Sequence, residues 1–332
     1  MNGYSNKTIL ITGATGLIGN HLVDAFMEMG DVKVIALSRN IDKLKFEFRK
    51  YLDNQRFGIT AQDISTPLEV EGPIGYIFHA AGPMEGKVIK NYPVDVIKPN
   101  LIGTINCLEF LKEQKERTGV SGRMVLFSSV TVYANNTNSD LTVSETDTQI
   151  AESLESGNAP YSQSKRMAEV ITTAYIRQYG VDAVIGRFST VYGPTRIMPD
   201  TAFYEFIKKA LSGEDILMNG SGLPRRDNIY IDDAVKGVLL VGEKGVTGEA
   251  YNISSEGELG NYISVDEIAQ KVISISEKTI KVQFKIKPIK ERKPGIRLAN
   301  RKLKELGWKL MVSLEDGIKK TLRAEEPYDI FL

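Results

Sequence analysis

The chain has 332 residues, of which 42% are hydrophobic, enough for a sizeable core in one large domain or two closely packed ones. Lys plus Arg and Asp plus Glu both number 42, so no basic excess points to nucleic acid or to an anionic membrane surface. The single cysteine, Cys107, excludes an intrachain disulfide. We find no signal-peptide pattern and no apolar run near the roughly 20 residues that span a bilayer, so we expect a cytoplasmic protein.

A glycine pattern near the start joins an apolar run to a helix-like segment. Thr8–Ile11 predicts a buried strand and Gly16–Met29 a helix, and Gly13, Gly16 and Gly19 are spaced three apart around the turn. The first glycine would permit the turn, the second would admit a pyrophosphate at the helix N-terminus, and the third would let the helix pack on the strand. A turn without a ligand is the alternative, but the context favours a dinucleotide site. The residues assigned to the cofactor here are Gly13, Thr15, Gly16, Leu17 and Ile18.

Strand-like and helix-like segments alternate along the first half of the chain. The further predicted elements are strands at Lys33–Leu37, Tyr76–His79, Met124–Phe127 and Ala183–Arg187, and long helices at Val94–Gln114 and Pro160–Tyr179. This alternation predicts an α/β fold with a Rossmann-type, doubly wound parallel sheet. After Gly193 the helices become shorter, and serine followed by an acid predicts caps for two of them, in ISVDEIAQKVISI and VSLEDGIKKTL.

This change in pattern predicts a smaller C-terminal α/β domain over the carboxyl ends of the strands, where open sheets of this kind bind ligands. The predicted cofactor domain is 1–187, with a return of residues about 228–242. The predicted substrate domain is mainly 188–332.

The end of the second predicted strand bears on the choice of cofactor. A carboxylate there would mark NAD, but Ser38 and Arg39 occupy the place, and Asp31 lies at the wrong end of the strand. A hydroxyl and a guanidinium suit a 2′-phosphate, so NADP is favoured over NAD, unless Arg39 only stacks on the adenine. Asp63 and Ile64 follow another short strand and are candidate adenine neighbours, although Asp63 could equally cap the strand end.

A tyrosine and a lysine carry the predicted chemistry. Tyr161 and Lys165 are four residues apart on a predicted helix, so they share one face. A tyrosine with an ordinary pKa of about 10 is a poor base at neutral pH. A nearby ammonium, with the positive ring of an oxidised nicotinamide, would lower that pKa and let the phenolate remove a hydroxyl proton while hydride leaves the same carbon. Such pairs also occur by chance on helix surfaces, so the interpretation depends on the glycine turn.

Two other predicted strands end in candidate site residues. Ser128 and Ser129 could bind a substrate hydroxyl and orient the tyrosine, or could cap a loop. His79 ends another strand, and Ala80 and Ala81 after it are small enough for a flat ring to lie against the backbone. The two histidines lie far apart in the sequence, and we predict no metal site.

These motifs together resemble the extended short-chain dehydrogenase/reductase family, in its branch of nucleotide-sugar epimerases and dehydratases. The matching elements are TGATGLIG, HAAGP, NLIGTINCLEF, FSSVTVYAN, YSQSK, GRFSTVYGP, PRRDNIYIDDAVKG and KLKELGWK. They span almost the whole chain in family order, and they are more specific for the family than for the reaction. The resemblance implies an NAD(P)-binding Rossmann domain, a nucleoside diphosphate-sugar substrate and a homodimer joined by four helices.

The same resemblance implies roles for individual residues. Tyr161 would be the base, Lys165 its partner and Ser129 the third catalytic residue. Asn100 would lie near the cofactor in the active site, and Arg226 would meet the substrate diphosphate, for which bidentate bonding suits arginine. The residues assigned to the substrate are Met84, Ser129, Ser189 and Arg226.

Departures from the family patterns bear on the reaction. Sugar 4,6-dehydratases have Asp-Glu after the catalytic Thr, and UDP-glucuronate decarboxylases have Glu at the second of those positions, where this chain has Val130 and Thr131. The run SSVTVY looks most like the 4-epimerases. Ser189 replaces an Asn that touches the diphosphate, and Gly295 replaces an acid that contacts the nucleoside, so the base and the sugar stay open.

The first hypothesis is therefore a nucleotide-sugar 4-epimerase that oxidises a sugar hydroxyl transiently with a bound NAD(P). An NADPH-dependent nucleotide 4-keto-sugar reductase is the alternative, since Ser38 and Arg39 also suit it. A dehydratase, a decarboxylase and a non-catalytic NADP-binding protein rank lower.

Overall fold

A computed structural model describes residues 3–133, 140–148, 152–285 and 295–324. Its strands are β1 Thr8–Thr12, β2 Lys33–Ser38, β3 Phe57–Ala61, β4 Tyr76–His79, β5 Arg123–Ser129, β6 Leu141–Val143, β7 Asp182–Phe188, β8 Thr190–Tyr192, β9 Ile216–Met218, β10 Arg225–Tyr230, β11 Ala250–Ile253, β12 Tyr262–Ser264, β13 Val282–Phe284 and β14 Ile296–Leu298. Its α-helices are α1 Leu17–Met29, α2 Ile41–Glu47, α3 Gly86–Asn91, α4 Pro93–Thr118, α5 Ala159–Tyr179, α6 Ala202–Ser212, α7 Ile231–Lys244, α8 Val265–Ser276, α9 Arg301–Glu305 and α10 Leu314–Leu322. Short 3₁₀ helices lie at Arg49–Tyr51, Val130–Tyr133 and Glu258–Gly260.

A parallel sheet of seven strands forms the centre of the described residues. Its strand order is β11-β7-β5-β4-β1-β2-β3, and every neighbouring pair is parallel. The order reverses between β1 and β4, and in doubly wound sheets the ligand crevice lies outside the carboxyl ends of the strands at that point. The Rossmann-type α/β fold predicted from the sequence is confirmed, and the predicted strands and long helices are present with bounds that are the same or differ by a few residues.

The sheet is buried on both faces, as expected for parallel strands. Alternate residues of β1 enter different cores because side chains alternate along a strand. Ile9 packs in a cluster that includes Leu22 of α1 and Val238 of α7. Leu10 packs in a second cluster with Leu108 of α4 and residues of α5. Helices on both faces therefore hold the strand ends, and the polar residues that follow them, in fixed positions.

After β10, which lies in a small separate sheet, the chain returns to the large parallel sheet. β11 pairs in parallel with β7, and α7 packs against β5 and β7. β10, which covers the first part of the return expected at residues about 228–242, pairs instead with β8 and β12 in a small mixed sheet. The return to the large sheet thus comprises α7 and β11, and it ends about ten residues later than expected.

The C-terminal part contains the small sheets and the capped helices. β13 pairs with β9, and β14 pairs with β6. α8 begins with a capping box in which Ser264 and Glu267 satisfy each other's backbone N–H groups, and the Ser313 hydroxyl accepts from the N–H of Asp316 at the start of α10. Both caps follow the sequence prediction. In the described ranges no helix has the length and the apolar character needed to cross a membrane.

Candidate active site

The three glycines of the opening turn differ in how much space surrounds them. Gly13 has φ +67°, and a Cβ on it would lie 2.8 Å from the carbonyl carbon of Ala80 and from Cα of Ala81. A Cβ on Gly19 would lie 2.4 Å from the carbonyl oxygen of Gly13, so only glycine lets α1 pack this closely on the turn. Gly16 is exposed, and a Cβ on it would meet only the Gly13 oxygen, at 3.2 Å. Gly16 is thus the open glycine of the turn.

The N-terminus of α1 is suited to an anion. Gly16 precedes the first turn and provides no side-chain cap, and that turn contains no acidic residue. The N–H groups of Leu17 and Ile18 have no helical acceptor because they lie in the first turn. Their partial positive charge favours a phosphate group. The turn therefore fits a dinucleotide, as expected for Gly13, Thr15, Gly16, Leu17 and Ile18.

The end of β2 is tied to this turn. Thr15 Oγ1 lies 3.1 Å from Ser38 Oγ, and Arg39 next to it is exposed. Asn40 then caps α2 by accepting from the N–H groups of Asp42 and Lys43. The cap occupies the asparagine side chain, so Ser38 and Arg39 are the polar groups that β2 presents beside the glycine turn.

The loop after β3 holds the two candidate adenine neighbours. The Asp63 carboxylate accepts from the N–H of Ser65 at 2.8 Å, which is the capping contact considered as its alternative role. Ile64 is buried, and its Cγ2 would lie 3.0 Å from a Cβ on Gly103 of α4. The isoleucine side chain therefore contributes to the core, and a contact of either residue with adenine stays a prediction.

The structure brings Ser129, Tyr161 and Lys165 together. Ser129 lies beside Tyr161, close enough for its side chain to favour ionisation of the phenol. Lys165 is 6% exposed, and its Nζ donates to the Phe127 carbonyl at 2.8 Å and lies 5.9 Å from the centroid of the Tyr161 ring. These contacts place a hydroxyl, a phenol and an ammonium at the carboxyl end of β5.

Burial controls the ionisation of this group. It raises the pKa of Tyr161 above its ordinary value, and the neighbouring Ser129 acts in the opposite direction. It lowers the pKa of Lys165 to about 8, with Glu169 opposing the shift. The sequence argument expected a lowered tyrosine pKa. In the protein alone burial dominates, and the pKa of Tyr161 shifts in the opposite direction.

Asn100 lies beside the lysine. Its Nδ2 donates to Ser164 Oγ at 2.9 Å, and its Oδ1 is buried without a hydrogen-bond partner in the part of the chain that the structure describes. A Cβ on Gly82 would lie 2.5 Å from that Oδ1 and 3.5 Å from Lys165 Nζ. An acceptor without a partner and an ammonium thus converge at a glycine, an arrangement that suits a bound polar group.

His79 is a structural residue rather than a proton carrier. It is buried at the end of β4, and its Nδ1 lies 2.8 Å from Thr12 Oγ1. Burial and the charge of Lys165 lower its pKa to about 3, so the ring stays neutral. Ala80 and Ala81, which follow it, contact the glycine turn as described above.

Ser128 faces a buried ion pair rather than the tyrosine. Its Oγ donates to Glu169 Oε1 at 2.6 Å, and Arg187 Nε and Nη2 bind the two oxygens of that carboxylate at 2.9 and 2.8 Å. Arg187 Nη1 also donates to the Tyr133 hydroxyl, which donates in turn to Asn252 Oδ1, each at 2.7 Å. Sequence reasoning missed this network, although the spacing of Glu169 from Lys165 was a signal that could have revealed it.

The residues assigned to the substrate lie on separate elements. Met84, before α3, is 59% exposed. Ser189 follows β7 and is buried, and its Oγ has no hydrogen-bond partner among the described residues. Arg226 is exposed on β10 of the small sheet, where its Nη1 donates to the Arg225 carbonyl at 3.1 Å. Their contact with a substrate stays a prediction.

The missing acid at position 295 has a steric explanation. A Cβ on Gly295 would lie 2.6 Å from the carbonyl oxygen of Arg225 and 2.8 Å from the Tyr262 hydroxyl. Asp140 supplies a carboxylate at this place instead. It accepts from Arg225 Nη1 at 2.9 Å, from the Gly295 N–H at 3.2 Å and from the Tyr262 hydroxyl. Sequence analysis missed Asp140 because it lies on a different segment.

Comparison with known proteins agrees with this geometry. Residues 9–254 match the NAD dependent epimerase/dehydratase family. The chain is 32% identical to UDP-glucuronic acid decarboxylase 6 of Arabidopsis thaliana, over 95% of this chain and 87% of the relative. It is 30% identical to UDP-glucuronic acid decarboxylase 1 of Danio rerio, over 96% and 72%.

Solved structures show the same architecture. UDP-glucuronic acid 4-epimerase from Bacillus cereus, in complex with UDP-glucuronic acid and NAD, is 26% identical with a TM-score of 0.78, covering 95% of this chain and 98% of that one. UDP-glucose 4-epimerase from Thermotoga maritima, with UDP-glucose, is 26% identical with a TM-score of 0.76, covering 95% and 97%. The chain therefore belongs to the NAD dependent epimerase/dehydratase family and is an enzyme.

Proposed function

We propose that the protein is a nucleotide-sugar 4-epimerase that uses a bound nicotinamide cofactor. The observation that carries the proposal is the convergence of Ser129, Tyr161 and the buried Lys165 at the carboxyl end of β5. The bound cofactor supplies a hydride acceptor that later returns the hydride. Thr131, where decarboxylases of the family have a carboxylate, supports epimerisation as the reaction.

The side chains divide the proton transfer among them. Tyr161 Oη accepts the proton of the sugar hydroxyl while the C–H bond of the carbon that carries this hydroxyl is broken. It gives the proton back when the C–H bond forms again on the other face of that carbon. Ser129, which lies beside Tyr161, favours the phenolate. Lys165, fixed by the Phe127 carbonyl, supplies the positive charge that stabilises the phenolate. No net proton or hydride leaves the enzyme in one turnover.

NADP is the cofactor that the end of β2 supports. The Ser38 hydroxyl and the exposed Arg39 stand beside the glycine turn, where a carboxylate would favour NAD. The cytoplasmic location likewise stays a prediction from the sequence.

Two other reactions remain as candidates, each with an observation behind it. The similarity to UDP-glucuronic acid decarboxylases favours decarboxylation of UDP-glucuronic acid. Ser38 and Arg39 favour a 4-keto-sugar reductase that consumes NADPH, with Tyr161 as the acid. Both use the same tyrosine and lysine, so the assignment of the site survives a change of reaction.

Analysis of the purified protein tests the proposal. The protein is denatured, released nucleotides are identified by mass spectrometry, and a native sample is incubated with UDP-glucose and UDP-glucuronic acid and followed by NMR. Cofactor near one per chain and a C4-inverted sugar are expected, without deuterium at C4 in heavy water because the hydride returns internally. Release of CO₂ with a UDP-pentose would establish the decarboxylase, and stoichiometric NADP⁺ formation from a 4-keto-sugar would establish the reductase.

A homodimer is the assembly that the helix pair supports. α4 and α5 pack against each other, and their outer surfaces carry exposed apolar side chains at Ile102, Met167 and Val170. A second copy of the chain would bury them by apposing its own α4 and α5 across a two-fold axis.

A further inference from the structure

Three consecutive residues of β5 meet three residues of α5. The Phe127 carbonyl accepts from Lys165 Nζ at 2.8 Å, the Ser128 hydroxyl donates to Glu169 at 2.6 Å, and Ser129 lies beside the phenol of Tyr161. The three helical partners are spaced four residues apart, so they form one row on the helix face that meets the strand. A shift of the helix along the strand would break all three contacts together.

Of these three contacts only the middle one is anchored to a third element. Both Glu169 and Arg187 of β7 are buried, and the guanidinium binds both oxygens of the carboxylate. Arg187 also reaches the Tyr133 hydroxyl and the Glu145 carbonyl, which follow the catalytic serine in the chain. Bidentate pairing fixes the orientation of the Glu169 carboxylate as well as its distance from Arg187. Glu169 is therefore the most tightly held of the three helical residues.

We infer that Glu169 is a positioning residue for the proton transfer: its carboxylate, one helical turn from Lys165, ties α5 to Ser128 of β5 and to Arg187 of β7. The inference concerns the same site as the proposed function and rests on it for its role in catalysis. Its structural content, a link between Glu169 and the charge of Lys165, can be measured without any substrate.

The charged and titratable groups around Lys165 come from several elements. On α5 these are the phenol of Tyr161, the carboxylate of Glu169 and the guanidinium of Arg166, whose Nη1 lies 3.6 Å from Glu169 Oε2. β4 contributes His79, which is neutral, and β7 contributes Arg187 through its pairing with Glu169. β5 contributes the hydroxyls of Ser128 and Ser129, and α4 contributes the uncharged amide of Asn100. Glu169 is therefore the negative charge that favours the ammonium, and it opposes the effect of burial.

The test is Glu169→Gln, which keeps the shape of the side chain and removes its charge. The pKa of Lys165 is read from the ¹³Cε signal of lysine-labelled protein, assigned by its loss in Lys165→Met. We expect this pKa to fall by about one pH unit, because an opposite charge one helical turn away is removed. The alkaline limb of the activity profile should move down by the same amount, since the working lysine is protonated. An unchanged lysine pKa would overturn the inference.

The same two strands provide a matched control. Arg123 of β5 and Asp182 of β7 form an ion pair at the other end of the strands, with Nε and Oδ2 at 2.8 Å. Asp182→Asn should weaken the fold without moving the lysine signal or the pH limb. If it moves them as much as Glu169→Gln does, the effect comes from general loosening of the sheet and the inference fails.

A second variant covers the case in which Glu169→Gln does not fold. Arg166 is 42% exposed at its side chain, and its Nη1 lies 3.6 Å from Glu169 Oε2. Arg166→Gln removes a competing positive charge at a tolerant site, so the pKa of Lys165 should rise; a fall would contradict the inference. Absence of epimerase activity in the wild type, with these NMR shifts as expected, would refute only the proposed reaction.

Discussion

The hydroxyl groups of Thr15 and Ser38 lie 3.1 Å apart, and this contact joins the glycine turn to the end of β2. The two segments that surround a dinucleotide's adenosine phosphates in this fold are thereby held together. Arg39 stands next to the contact on the exposed side. This geometry makes cofactor choice the most direct property to test.

Arg39→Ala should weaken NADP binding by about 10- to 100-fold, since a charge-assisted hydrogen bond to phosphate contributes roughly 1.5–3 kcal/mol. NAD binding should change little, because its ribose lacks the phosphate. Calorimetry on protein stripped of its own cofactor measures both affinities. Arg49→Ala, at another exposed arginine near this edge, is the control. Equal losses for both cofactors would mean that Arg39 only stacks on the adenine.

Tyr161→Phe should lower kcat by about 10²- to 10⁴-fold, because the group that moves the proton is lost. The cofactor should bind almost as before, since the phenol hydroxyl belongs to α5 and is not part of the glycine turn before α1. Steady-state kinetics with a nucleotide sugar and a cofactor titration measure the two effects. Tyr179→Phe, at the far end of α5, should leave both unchanged. Activity that persists in Tyr161→Phe would disprove the mechanism.

Gly19→Ala should destabilise the protein by about 1–3 kcal/mol through overpacking, although alanine normally favours a helix. The reason is the 2.4 Å separation between the added Cβ and the Gly13 oxygen, which would push α1 away from the turn. Urea unfolding measures the loss. Gly58→Ala on β3 is the matched control, since nothing lies within 4 Å of its added Cβ. A Gly19→Ala protein as stable as the wild type would refute the close-packing role.

His79 should make stability depend on pH in a defined direction. Its pKa is about 3 in the folded protein, against an ordinary value of 6.5, so the unfolded chain takes up the proton first as the pH falls. The stability that neutral His79 supports is complete above pH 6.5 and is lost progressively from there down towards pH 3. At one unit below the ordinary pKa the loss is about 1.4 kcal/mol.

The check compares the free energies of unfolding of wild type and His79→Asn at pH 8 and pH 5.5. The difference between the two proteins should shift by that amount against the wild type at the lower pH. A constant difference would show that the imidazole titrates equally in both states.

Val170→Asp should convert the dimer to a monomer by placing a charge in the apolar surface of α5. Val170 is 50% exposed in the single chain and would be buried by a second copy. Sedimentation at micromolar concentration measures the assembly. Val246→Asp, at an exposed valine after α7, should not change it. A wild-type protein that sediments only as a monomer would refute the proposed dimer.

Local patterns of the sequence were sufficient for the fold class and for proposing Tyr161 and Lys165, whereas the resemblance to the family was needed to propose Ser129. Gly13, Gly16 and Gly19 act within one turn, and Tyr161 and Lys165 within one helical turn, so spacing alone revealed them. The path of β11 could not be predicted in this way, because it depends on which sheet a short strand joins. The roles of Asp140 and Arg187 could not be predicted either. Their partners lie on distant segments, and only the folded chain brings the charges together.

Two ion pairs at opposite ends of β5 and β7 have a consequence for how the protein opens. Arg123 of β5 pairs with Asp182 of β7 at one end; at the other, Glu169 of α5 binds both Arg187 of β7 and Ser128 of β5, so neither end is free to fray. Amide hydrogens between them should exchange with solvent only when the whole protein unfolds, whereas those of the edge strand β3 should exchange through smaller openings. Ser129, at the end of β5, would then close a segment that exchanges more slowly than the edge of the sheet.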